Sequence, residues 1–154
     1  MKNKLLYNCI FLFLIAILVF VDYLSKKYIV NNLGINHSID IIEGFLRLTH
    51  IRNSGAAFGI LNNKSIFLIF MPIAVTAIFA ISMFKTDSVL SKLAISLIIS
   101  GALGNLIDRM RQGYVVDMID FYKIWRYIFN AADIYVVSGC VILIILLLSS
   151  RNLN

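Results

Sequence analysis

Asp22, Asp108 and Asp133 stand at the edges of long apolar runs, and Asp117 and Asp120 share the stretch YVVDMIDF at 114–121. Ionisable groups at the rim of a bilayer are costly, so they mark a function or a charge pair. Two carboxylates that meet can share one proton. One then takes a proton from water while the other donates a hydrogen bond to a scissile carbonyl, and neither a metal nor another cofactor is required.

Asp133 shows the tension most clearly. Ile134 to Leu148 spans about 22 Å as a helix, against a hydrocarbon core about 30 Å thick. The span therefore borrows residues upstream, which draws Asp133 to the interface or just below it. The same arithmetic predicts Asp22 near the end of the first span. Plain alternatives exist for each acid. Asn130 and Asp133 have the spacing of an N-cap and an N3 acid. Asp22 and Lys26, four apart, suit a surface pair on a helix. Asp108 could simply be balanced by Arg109. If 114–121 is a strand, alternation sends Asp117 and Asp120 to opposite faces. Only one of them can then meet Asp133, and spacing alone does not choose.

The elements that must position these acids follow from composition. The chain has 154 residues, 60% hydrophobic and 14% charged, with a mean hydropathy of +0.89. That is membrane composition. Apolar blocks at Leu5–Val21, Ile66–Phe84, Val89–Ile107 and Ile134–Leu148 predict transmembrane helices at about 5–26, 66–84, 89–108 and 130–149 in one membrane domain, 1–154. IDIIEGFLRLTHI predicts a hairpin turning at Glu43-Gly44. Surface β or loop elements are expected at 38–59 and 114–121, so the fold class is an all-α integral membrane protein with four transmembrane helices and a small β-sheet element at the membrane surface. Lys2 and Lys4 precede the first block in the manner of a signal peptide, but the block is long and lacks a clear cleavage site, so an uncleaved helix is expected. Four spans place both termini on one side. Five basic residues lie on that side and nine in the two long loops, so a raw positive-inside count would put the loops in the cytoplasm. The net charge of +6 suits the lipid interface, and no basic run with interleaved aromatics points to nucleic acid. Cys9 and Cys140 are expected to be small buried hydrophobes.

Five stretches are more specific. DYLSK (22–26), NSGAAFG (53–59), GALGNLIDR (101–109), VVDMIDF (115–121) and FNAAD (129–133) occur in this order among the four spans. In register they closely resemble the bacterial lipoprotein signal peptidases, signal peptidase II, over nearly the whole chain. Ser100 stands where many members carry glycine. The resemblance implies an aspartic endopeptidase of the bacterial cytoplasmic membrane. It would remove signal peptides from diacylglyceryl-modified prolipoproteins, cutting just before the lipidated cysteine. By motif match the catalytic pair would be Asp117 and Asp133, with loop strands forming a cradle above them. The termini would face the cytoplasm and the site the outer side. Besides the prolipoprotein, membrane lipid is the expected partner, and a monomer should suffice.

Other residues read as support. Asn53 precedes a Ser-Gly turn signal, and its amide suits a peptide backbone. Gly55 leaves room for close passage of a backbone or acyl chain. Asn105 lies three residues before Asp108, so both can face one groove. Arg109 suits a lipid ester region, or plain snorkelling. Asn130 can orient the pair as well as cap its helix, and Asp22 with Lys26 reads as supporting structure. Gly101 and Gly104 read as helix packing. His37 and His50 lack the spacing of a metallopeptidase motif. Ser25 and Lys26, being adjacent on a helix, do not face each other as a catalytic dyad would. The remaining alternative is a small transporter or proton-relay subunit using Asp108, Arg109 and Asp133.

Overall fold

The computed structural model describes residues 2–55 and 65–151. The end of the expected 38–59 surface element, with Phe58 and Gly59, lies outside them. Four helices and four short strands follow along the chain, the strands in two consecutive pairs: α1 Lys2–Asn32, β1 Ser38–Ile42, β2 Leu46–Asn53, α2 Ser65–Lys85, α3 Val89–Gln112, β3 Val115–Asp120, β4 Ile128–Phe129 and α4 Ala131–Arg151. All four helices contain stretches long and apolar enough to cross a membrane. The strands form one antiparallel sheet in the order β1-β2-β3-β4. The expected class, a helical membrane protein with a small sheet, is what the chain forms.

Helix α3 is the hub, packing against each of the other three helices. Its sequence explains this. Lys92, Ser96, Ser100, Gly104 and Asp108 recur every four residues, and all are buried. Small and polar residues on one face let helices approach closely and bond across the contact, which is how spans associate without a hydrophobic driving force. The other helices turn large apolar side chains outward, among them Phe13, Phe70 and Leu147. Phe11, Ile15, Met83, Ile95 and Ile99 fill the junction of α1, α2 and α3.

Two expectations are corrected. The first span does not stop near Asp22: α1 continues to Asn32. Asp22, Lys26, Ile29 and Leu33 form one buried stripe on it. Past the apolar block, Ile29 and Leu33 pack under the sheet against Val116 and Met118, so a second core carries the helix beyond that block. Cys9 and Cys140 are exposed, not buried. Both sit on the outward faces of their helices, where hydrocarbon rather than protein is their apolar surrounding.

Candidate active site

Strand β3 brings Asp117 to the junction of sheet and helices. Its side chain is buried, and the alternation along β3 places Asp120 on the opposite face, bound to Arg47 (2.7 Å) and Thr49 (3.1 Å). Asp117 Oδ2 accepts a hydrogen bond from Asn53 Nδ2 at 2.8 Å, and Oδ1 accepts one from Asn130 Nδ2 at 2.7 Å. Neither amide could turn the other way. Asn53 Oδ1 accepts from the Gly55 N–H (2.8 Å) and Asn130 Oδ1 from the Asp133 N–H (3.0 Å). A backbone N–H only donates, so both NH2 groups must face Asp117.

Asp133 is the third residue of α4. Its Oδ2 accepts from the Asn130 N–H at 3.2 Å while its own N–H bonds to Asn130 Oδ1. This is a reciprocal cap. The capping and the site-forming readings of Asp133 are thus both satisfied by the same atoms, and Asn130 joins the two carboxylates. Asp133 Oδ1 accepts 2.8 Å from Asn105 Nδ2, and Asn105 Oδ1 accepts 3.0 Å from Lys26 Nζ. Lys26 is also paired with Asp22 at 2.6 Å and Asp108 at 2.8 Å. The Asp22–Lys26 pair is therefore buried between helices and not a surface pair, and Asp108 is balanced by Lys26.

Asp22 closes the circuit by accepting 2.9 Å from the Ala132 N–H in the first turn of α4. An acid there satisfies one of the orphan donors of a helix start. Gly104 permits the contact, since a Cβ would lie 2.6 Å from Asp22 Oδ2. Ser25, the other half of the discarded Ser–Lys pair, spends its hydroxyl on the Asp22 carbonyl at 2.7 Å. Arg109 reaches the Asn105 carbonyl at 3.5 Å. It lines a small cavity of about 90 Å³ with Ser54 and Leu68. Its buried Nε has no hydrogen-bond partner among the described residues.

Electrostatics at Asp117 follow from this packing. Burial pushes its carboxyl above the ordinary range, the Asn53 and Asn130 amides pull it back, and the charge of Asp133 raises it further, with a small opposing pull from Lys26. The net direction is up.

All the singled-out residues thus meet in one network, Gly55 through its N–H. Sequence reasoning did not reach the residues beside it. Ile51, Arg52, Ser54, Arg126 and Tyr127 line an open cleft of about 300 Å³ against Asp117. Only the β3 motif, to which the cleft is attached, could have pointed there. Arg126 and Tyr127 belong to a stretch with no periodicity.

Four apolar helices, a small sheet over one end, and two carboxylates joined by an asparagine at the seam, Asp117 buried and Asp133 partly so, define an integral membrane protein with an acid-pair site. Residues 14–149 match the family described as signal peptidase (SPase) II. The chain belongs to the signal peptidase II family. It is 46% identical over 142 residues to a lipoprotein signal peptidase of Clostridioides difficile, covering 90% of this chain and 95% of that protein. The corresponding protein of Fusobacterium nucleatum is 40% identical over 141 residues, covering 90% and 86%. A bacterial membrane enzyme solved by the in meso method superposes with a TM-score of 0.80 at 33% identity, over 98% of this chain and 90% of that one. The proton-relay reading finds no support in these relatives.

Proposed function

We propose that Asp117 and Asp133 are the catalytic pair of a membrane aspartic endopeptidase that removes signal peptides from diacylglyceryl-modified prolipoproteins, cutting before the lipidated cysteine. Family membership supports the reaction class. One observation carries the residue assignment: the Asn130 side chain donates to Asp117 while its oxygen and backbone hold Asp133. Both carboxylates are thereby fixed around a single residue, Asp117 by the Asn130 side-chain amide and Asp133 by its backbone N–H.

The raised affinity of Asp117 for a proton suits a pair that shares one proton. The ionised member takes a proton from water, which attacks the scissile carbonyl. The protonated member donates to the developing oxyanion and then delivers its proton to the leaving amine. Asn53 and Asn105 hold the carboxylates in register. The unpartnered Nε of Arg109 is a donor for a carbonyl of the substrate backbone or its lipid ester. Gly55, with φ +81°, gives the turn that aims the Asn53 amide. Asp22, Lys26 and Asp108 brace the start of α4. The termini face the cytoplasm, the site faces outward, surrounding lipid is a partner, and one copy of the chain suffices.

Cleavage of a lipid-modified precursor by purified protein is the test. Asp117→Asn and Asp133→Asn should each abolish it while membrane insertion and folding persist. Normal turnover by either variant would remove that residue from the pair.

A further inference from the structure

Away from the acid pair, α1 and α3 leave a groove on their outer face. Its apolar length, about 580 Å³, is lined by Leu12, Ile15, Ala16, Val19, Phe20 and Leu103, among others. Tyr23 and Arg111 close its end, and the same two residues open a second cavity of about 350 Å³, lined also by Lys27 and Gln112. The two cavities are therefore adjacent, with Tyr23 and Arg111 in the wall of both. One is apolar and lies along the spans; the other is polar and lies at the sheet end of α1 and α3.

The charges at the junction are unusual. Lys27 Nζ lies 5.8 Å from the centre of the Tyr23 ring, and the Arg111 guanidinium lies 5.6 Å from it. Two cations converge on one ring. Among the described residues neither has an acidic partner. Asp108 also lines the polar cavity, but it is paired with Lys26. Both are exposed, with stems that can lie along apolar surface while their heads meet water. These two flank a cavity with a hydrogen-bond donor, Gln112, in its wall. An anion between them would relieve their repulsion, and an apolar tail leading away from that anion would fill the groove.

We infer that the α1–α3 groove binds an anionic glycerophospholipid, its phosphate between Lys27 and Arg111 and one acyl chain along Ala16 and Leu103. This site is separate from the one that receives the precursor. Lys26 and Asp108 stand in its wall, whereas neither Asp117 nor Asp133 lines it. Its occupant would hold α1 against α3 behind the proposed catalytic pair.

Native mass spectrometry of the delipidated enzyme in detergent tests this with three probes: phosphatidylglycerol, phosphatidylcholine with the same chains, and inorganic phosphate. Phosphatidylglycerol should bind more tightly than phosphatidylcholine by about thirtyfold, the weight of two interfacial cations. Lys27→Gln combined with Arg111→Gln should erase that preference yet leave precursor cleavage in detergent unchanged. Ala16→Trp, which fills the apolar groove and keeps both cations, should weaken phosphatidylglycerol without affecting phosphate. Equal retention of the two lipids by the wild type would overturn the proposal, as would a preference that survives the double substitution. Phosphatidylglycerol bound no better than phosphate and indifferent to Ala16→Trp would give the site to a free anion. A dimer that Ala16→Trp abolishes would give the groove to a second copy of the chain.

Discussion

Asp117 is ringed by amide donors yet buried, and the two effects pull its proton affinity in opposite directions. Burial wins, so its folded pKa lies above the ordinary value of 3.8. The sign for stability follows. Below 3.8 the residue is protonated in both states and adds no pH-dependent cost. As pH rises through the folded value, the buried charge costs stability. Asp117→Asn has no proton to lose. The difference in unfolding stability between the Asn variant and the wild type should therefore shift in the variant's favour from acid to neutral pH, as thermal unfolding in detergent would read. A difference that stays flat or moves the other way would contradict the burial argument. Asn130 belongs to the same scale. Asn130→Ala removes an N-cap worth about 1 kcal/mol, and it also frees Asp117 from Asp133. Cleavage should fall far more than a loss of that size in denaturation explains. Proportionate losses would reduce Asn130 to a cap. The candidate site was legible to the extent that its chemistry sits in short motifs. Asp117 was separable from Asp120 by strand alternation alone, but nothing in spacing chose which of them meets Asp133. That choice depends on Asn130 and Asn53 converging from separate loops.

At the scale of elements, the four spans could be read because hydrocarbon demands long apolar runs. The central place of α3 was less visible. Its buried face is polar and small, which lowers its hydropathy to 1.7 against 2.4 or more for the other spans. A weaker span by that measure is the one most enclosed by protein. The extension of α1 to Asn32 was missed for a related reason: Ile29 and Leu33 answer to the sheet, not to lipid. Close approach of α3 and α4 rests on Gly101, where a Cβ would collide with the Ala132 carbonyl and the Val136 side chain. Gly101→Val should force the two helices apart at a cost of about 1–3 kcal/mol. Because Ala132 adjoins Asp133, the same change should also depress cleavage. A variant with wild-type stability and wild-type turnover would show that the helices have slack the packing does not suggest.

For the molecule as a whole, charge and fold give different answers about orientation. Nine basic residues fall in the two long loop segments of the sequence and five outside them, so the count favours cytoplasmic loops. Yet many of the nine are absorbed by the fold itself. Lys26 pairs with Asp22 and Asp108, Arg47 with Asp120, and Arg52 stacks 4.8 Å from the Tyr114 ring. At the terminal end Lys92 is likewise drawn inward, bonded at 2.6 Å to both Asn8 and the Met83 carbonyl. Cations held in this way record tertiary structure as much as topology. The proposed outward-facing site therefore makes a definite prediction. In a chain with Cys9 and Cys140 replaced by alanine, Lys123→Cys places a thiol on the exposed sheet end and Asp87→Cys one on the exposed turn between α2 and α3. A membrane-impermeant maleimide added to intact cells should label the Lys123→Cys variant, and should label the Asp87→Cys variant only after permeabilisation. The reverse pattern would put the acid pair on the cytoplasmic side and vindicate the charge count over the family likeness.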